Sequence, residues 1–115
     1  MKLGKKITGG RYKKARKKKK YELKGSITNV KLGEEKRKTI KICGGNKKSF
    51  LLRGQFVNVK GKKLTIKNVL ETPSNRFLAR QNILTKGTIV ETEAGKVKIT
   101  NRPSQQAMIN GVFIE

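Results

Sequence analysis

The side chains of this chain that can do chemistry are overwhelmingly cations. Thirty Lys and Arg stand against seven acids, all of them Glu, for a net charge of +23. His and Asp are absent, which removes the commonest acid–base group and one of the two carboxylates. Glu91 and Glu93 are two apart and would share a strand face, but solvent-facing charges beside a hairpin turn explain them better than a paired-carboxylate site. Glu34 and Glu35 read as an exposed turn before a strand. A single cysteine, Cys43, and no His exclude zinc held by its usual ligand sets. Cys43 reads as a small buried apolar side chain rather than a reactive thiol. Being alone, it excludes an intramolecular disulfide and fits a reducing, cytosolic setting. Gly9-Gly10 and Gly44-Gly45 do not match a phosphate loop, and neither joins a strand to a long helix. The residues give no case for an enzyme and call for no cofactor and no metal.

The chemistry left to such a chain is neutralisation of a polyanion. Self-repulsion at +23 destabilises a compact free monomer. Nucleic acid is the leading partner, because its phosphates form a dense, regular line of charge. An anionic membrane surface ranks second, since no basic segment carries the Leu and aromatic stripe of an interfacial helix. No apolar run approaches the roughly 20 residues that span a bilayer. The basic N-terminus is followed by no apolar stretch, which argues against a secretory signal, and neither a membrane nor a small-molecule substrate is expected as a partner.

The cations are unevenly spread. Residues 1–20 contain eleven of them and no acid, with apolar side chains too sparse to bury a face. We expect residues 1–24 to form an extended arm, disordered when free and ordered by a charged surface. The strongest local signal is Arg16, Lys17, Lys18, Lys19 and Lys20 followed by Tyr21. A solvated tail or a nuclear-import address would explain such a run, but not why the rest of the chain is also basic. Tyr12 and Tyr21 can stack on exposed bases, or Tyr21 can pack on the domain. Gly9-Gly10 either lets the backbone approach phosphate closely or is simply flexible, because no hairpin there demands glycine.

Residues 25–115 must supply the body that positions these charges, and they read as β structure. Arg37–Cys43 alternates, with Ile40 and Ile42 on one face, and Gly44-Gly45-Asn46 turns the chain into the apolar run of Ser49–Arg53. Phe56–Lys60 and Lys63–Val69 flank a Gly61-Lys62 turn, with Val57, Val59, Leu64 and Ile66 available for a buried face. Ile89–Glu93 and Lys96–Thr100 flank Ala94-Gly95, and Met108–Ile114 reads as a well-covered closing strand. Short strands at this spacing predict an all-β domain, a small barrel that leaves few open edges. Thr72-Pro73-Ser74 offers an N-cap and a first-turn proline for a short helix over Asn75–Gln81. Arg76 and Arg80 would then share one face, with Phe77 and Leu78 anchoring the other. Lys41, Lys67 and Lys98 take the polar phase of strands, where solubility alone would put them.

Several stretches resemble the archaeal and eukaryotic family of small-subunit ribosomal protein eight, which is distinct from the bacterial protein of that number. They are Thr8-Gly9-Gly10-Arg11, the basic run with Tyr21-Glu22-Leu23, and Asn82-Ile83-Leu84-Thr85-Lys86-Gly87. Ile89 through Lys96, reading IVETEAGK, Val97 through Pro103, and the ending Val112-Phe113-Ile114-Glu115 extend the likeness over most of the chain. The resemblance implies a ribosomal role, rRNA contacts from the arm and a compact β-barrel body. The length of 115 residues fits the shorter archaeal form. Arg102 through Ala107 depart from the Gly- and Asp-containing loop expected there, Gln81 replaces a common second Arg, and the N-terminus is shorter than expected.

The reading is therefore a cytoplasmic structural constituent of the small ribosomal subunit, supporting assembly and translation. Its partners are small-subunit rRNA and neighbouring ribosomal proteins. Arm contacts are expected from Lys5, Lys6, Gly9, Gly10, Arg11, Lys13 and Lys14, together with the run from Arg16 to Lys20. The body would add Arg37, Lys38, Asn46, Lys47 and Lys48, and then Arg76, Arg80, Lys86 and Arg102. Two rivals are a free-standing nucleic-acid chaperone or chromatin protein, which would bind DNA and RNA alike, and a processing enzyme.

Overall fold

The computed structural model describes residues 4–12 and 16–114. Its strands are β1 (Val30–Leu32), β2 (Lys36–Lys41), β3 (Lys47–Gly54), β4 (Phe56–Val59) and β5 (Lys62–Glu71), then β6 (Ile83–Leu84), β7 (Ile89–Thr92), β8 (Gly95–Ile99) and β9 (Gly111–Phe113). One helix, α1 (Arg76–Arg80), stands between β5 and β6. The first sheet runs β2-β3-β1-β6, with β1 and β3 parallel. The second runs β4-β5-β7-β8-β9, antiparallel throughout. Its two outer strands nearly meet: Asn58 of β4 bridges to Asn110, and the Asn58 N–H donates to the Ile109 carbonyl at 2.9 Å. Register shifts within β5, between Ile66 and Asn68 and between Val69 and Glu71, bend this ten-residue strand so that the sheet can curl toward a barrel.

Alternating Val and Ile residues drive this closure. Val57, Val59, Ile66, Val69, Val90, Val97 and Ile99 face inward from the barrel strands and are at most 5% exposed. Val30, Leu51 and Leu84 from the four-stranded sheet and Ile109 from the last loop complete one continuous core. Each such side chain contributes about 1.5–3 kcal/mol by leaving water. Two glycines allow close approach: Gly111 lets β9 lie against β8, and Gly54 leaves room for the Leu51 and Ile109 side chains. A Cβ on Gly111 would meet Val97 Cγ1 and stand 2.9 Å from the Lys98 carbonyl, and one on Gly54 would stand 2.7 Å from Leu51 Cδ2.

The structure corrects several expectations in detail. The β4–β5 turn is Lys60-Gly61 rather than Gly61-Lys62, because Val59 pairs with Lys62 and the two loop residues take positive φ, 46° and 78°. The β7–β8 turn is likewise Glu93-Ala94, with Thr92 paired to Gly95, so Glu93 leaves the strand that holds Glu91. The cap of α1 is Asn75, whose Oδ1 accepts from the Phe77 N–H at 3.0 Å, not Thr72, whose hydroxyl is buried. Phe77 does not anchor the helix and is 62% exposed, while Leu78 and Ala79 are half-buried. Met108, Val112, Phe113 and Ile114 are exposed, so the closing strand is not well covered and its buried contacts come from Ile109 and Gly111. Cys43 is exposed in a 3-10 turn at the β2–β3 tip, where the residues on either side of it are exposed as well.

Every described residue from Gly4 through Asn29 is exposed, and Val30 is the first buried one among the described residues. The radius of gyration is 20.4 Å, against roughly 13 Å for a compact domain of this length. The difference reflects this unburied segment and the projecting β2–β3 ribbon.

Candidate nucleic-acid interface

The N-terminal segment carries local order of its own. Lys5 pairs with Arg11, and the Lys6 N–H donates to the Gly10 carbonyl at 2.8 Å. The Gly9 N–H donates to the Lys6 carbonyl at 2.9 Å, and Gly9 has φ 78°. Ile7-Thr8-Gly9 is thus a three-residue hairpin loop whose last position is left-handed. Contrary to the sequence expectation, a hairpin does demand glycine at Gly9. Gly10 is the acceptor that closes it.

The basic run also turns on itself. The Arg16 guanidinium donates to both Glu22 carboxylate oxygens, at 3.1 and 2.8 Å, and the Lys19 N–H donates to one of them at 3.0 Å. Together they hold the Glu22 carboxyl below the usual carboxylate range, Arg16 having the larger effect. The turn keeps Arg16 engaged and leaves Lys17, Lys18, Lys19 and Lys20 exposed. Tyr12 and Tyr21 are exposed as well, with the Lys6 and Lys19 ammonium groups 5.7 and 5.9 Å from their rings. Tyr21 therefore does not pack on the body. Lys13 and Lys14 lie outside the described residues.

On the body, the β2–β3 ribbon presents Arg37, Lys38, Lys47 and Lys48. Register separates them by face: Lys38 lies opposite Phe50 and Lys48 opposite Ile40, while Lys41 lies opposite Lys47. Every residue of β2 is exposed, Ile40 included, so its apolar alternation does not build core. Arg37 is engaged in an ion pair with Glu35. Asn46 closes the ribbon tip, its carbonyl accepting from the Ile42 N–H at 2.8 Å. Between the two sheets, Arg37, Phe56, Lys63 and Met108 rim a cleft of about 120 Å³ floored by Leu51, Gly54 and Ile109.

Arg76 and Arg80 are exposed on α1, which packs against β5 and β6. Lys86 sits in a tight turn, where Gly87 takes φ 86° and the Thr85 and Thr88 hydroxyls lie 2.9 Å apart. The Gly87 N–H donates to the Ile99 carbonyl at 2.8 Å, bringing this turn to the end of β8, from which the chain runs on to Arg102. Arg102 opens a helical turn, its carbonyl accepting from Gln105 and Gln106. Asn101 secures the departing loop, donating to Gln106 Oε1 and the Met108 carbonyl and accepting from the Asn110 N–H.

Sequence reasoning missed Lys31, Lys36 and Arg53. Strand register sets them side by side across β1, β3 and β2, with Lys31 opposite Arg53 and Arg53 opposite Lys36. No local motif marks them; only pairing of distant strands does. Among the described residues no group of His, Cys, Asp and Glu could hold a metal ion.

The family model described as Ribosomal protein S8e matches residues 2–114. A protein of Nanoarchaeum equitans named small ribosomal subunit protein eS8 is 52% identical, covering 95% of this chain and 91% of its own length. Proteins of the same name from Staphylothermus marinus and Methanocorpusculum labreanum are 47% and 42% identical, each covering 96% of this chain. With the whole described barrel inside the matched region, the chain belongs to the ribosomal protein S8e family.

Proposed function

We propose that this chain is a structural constituent of the small ribosomal subunit, cytoplasmic and not an enzyme, that binds small-subunit rRNA through its basic arm and the cationic surface of its body. Archaeal relatives carrying the small-subunit name support the ribosomal role. The observation that carries the RNA reading is the cationic segment before Val30, in which every described residue is exposed. Such a segment adds no core, yet each cation that meets a phosphate releases counterions.

In this reading residues 1–24 act as an arm that becomes fully ordered on RNA, and residues 25–115 act as the seated body. Lys5, Lys6, Arg11, Lys13, Lys14 and the run from Arg16 to Lys20 neutralise phosphates so that neighbouring rRNA helices can pack. Gly9 and Gly10 bring backbone close to the RNA. Arg37, Lys38, Asn46, Lys47 and Lys48 extend the contact along the ribbon, and Arg76, Arg80, Lys86 and Arg102 extend it over the helix-and-loop side. Adjacent ribosomal proteins complete the surroundings. Little base-specific readout is expected, because side chains suited to reading base edges are few beside the positive charges.

Cosedimentation of the tagged chain from cell extract tests this. Retention in the small-subunit fraction at low and high salt is expected. Loss at modest salt, or spread over every nucleic-acid fraction with equal displacement by double-stranded DNA, would favour a general nucleic-acid binder.

A further inference from the structure

We infer that Lys31, Arg53 and Lys36 form a phosphate-binding row that tracks the backbone of an RNA strand across the four-stranded sheet; this rests on the RNA-binding reading above. The three cations come from three adjacent strands and stand in direct register, Lys31 opposite Arg53 and Arg53 opposite Lys36. All three are exposed. Adjacent strands lie ~4.8 Å apart, so the row spans about 10 Å with each charge well inside a Debye length of its neighbour.

Like charges directly opposite one another in a sheet destabilise it. A chain selecting only for solubility would alternate signs across such a row. Among the described residues ion pairs form at Arg16–Glu22 and Arg37–Glu35, and neither carboxylate serves this row. Glu35 lies one residue from Lys36 yet pairs with Arg37. The repulsion is relieved when a polyanion lies over the row.

Rigidity distinguishes this row from the arm. Lys31 is flanked by buried Val30 and half-buried Leu32, and Arg53 by half-buried Leu52 and buried Gly54, so the backbone beneath the charges is fixed by the core. At the far side of β1 the sheet continues to β6, against which α1 packs with Arg76 and Arg80. The row and the helix thus offer a cationic surface along one sheet. An RNA backbone is the occupant that fits, because it presents successive phosphates to a line of fixed cations and asks nothing of base identity.

The test compares two full-length variants of equal charge. One carries Lys31→Gln, Lys36→Gln and Arg53→Gln; the control carries Lys62→Gln, Lys67→Gln and Lys98→Gln, exposed barrel positions with no cation directly opposite. Binding to purified small-subunit rRNA is measured over a salt series, and melting of the free proteins is measured alongside. The row variant should lower the log–log salt slope by about 2, from ~0.7–0.9 per phosphate lost. It should also raise the melting temperature by about 2–4 °C as repulsion is removed. The control should change both by clearly less. Equal changes in the two variants would reduce the row to net charge and overturn it. A higher melting temperature with an unchanged slope would also overturn it. Wild-type chain that fails to bind rRNA at all would instead defeat the broader RNA reading.

Discussion

The arm and the barrel divide this molecule by what each does with water. In the barrel, Val57, Val90 and Val97 are fully enclosed, and hydrogen-bonded strands leave little backbone unpaired. In the arm, no described residue before Val30 is buried, and its few hydrogen bonds are local turns around Gly9 and Glu22. Eleven of the chain's thirty cations lie in residues 1–20, where they need not be accommodated against a core. The contrast teaches that apolar burial and the densest run of charge are kept apart along the chain. The barrel can fold despite +23 because its apolar contacts lie inside and its cations outside.

That separation can be broken most severely inside the barrel. Gly111→Ala places a methyl against Val97 and the Lys98 carbonyl, and should cost about 3 kcal/mol in a denaturant melt. A cost near zero would mean that the β8–β9 edge gives way freely. Val90→Ala should cost about 2 kcal/mol. Ile40→Thr, on the exposed β2, should cost less than about 0.5 kcal/mol. Comparable losses from these two would show that the ribbon is part of the cooperative core after all.

Changes in the arm should leave the melt almost untouched and act on RNA. Replacing Lys17, Lys18, Lys19 and Lys20 together by Gln should hold stability within about 0.5 kcal/mol. It should reduce the salt slope of rRNA binding by about 3. A large fall in melting temperature would contradict the independence of arm and body. The smallest effect is expected at Glu22. Its carboxyl pKa is lowered by Arg16 and the Lys19 N–H, so the charged form favours the ordered turn. The turn is therefore fully supported above the carboxyl's unfolded pKa and loosens as pH falls through the lowered value. An NMR titration should place the Glu22 midpoint below that of a Glu in an unstructured peptide, and Arg16→Gln should move it most of the way back, the Lys19 N–H holding the remainder.

Much of this was legible in the linear order of residues. Alternating Val and Ile located most of the barrel strands, and Gly61 and Gly95 marked its two hairpins to within a residue. The absence of His and Asp removed most routes to catalysis, and the crowding of Lys and Arg before residue 21 marked a segment with too few apolar side chains to bury a face. Periodicity also misled: Ile40 and Ile42 alternate as core residues do, yet both are exposed on the ribbon. Strand β1 and the two-residue β6 were too short to carry a period, and become strands only through each other and β3.

The sequence by itself determined the class of the molecule, a strongly basic β protein with its densest charge before residue 21, because charge and apolar alternation are properties of residue order. Tertiary structure alone decided which cations become neighbours. Lys31 and Arg53 are far apart in the chain and meet because β1 and β3 pair in parallel. Parallel pairing brings together segments joined by a long excursion, and its register follows from which side chains the shared core can bury.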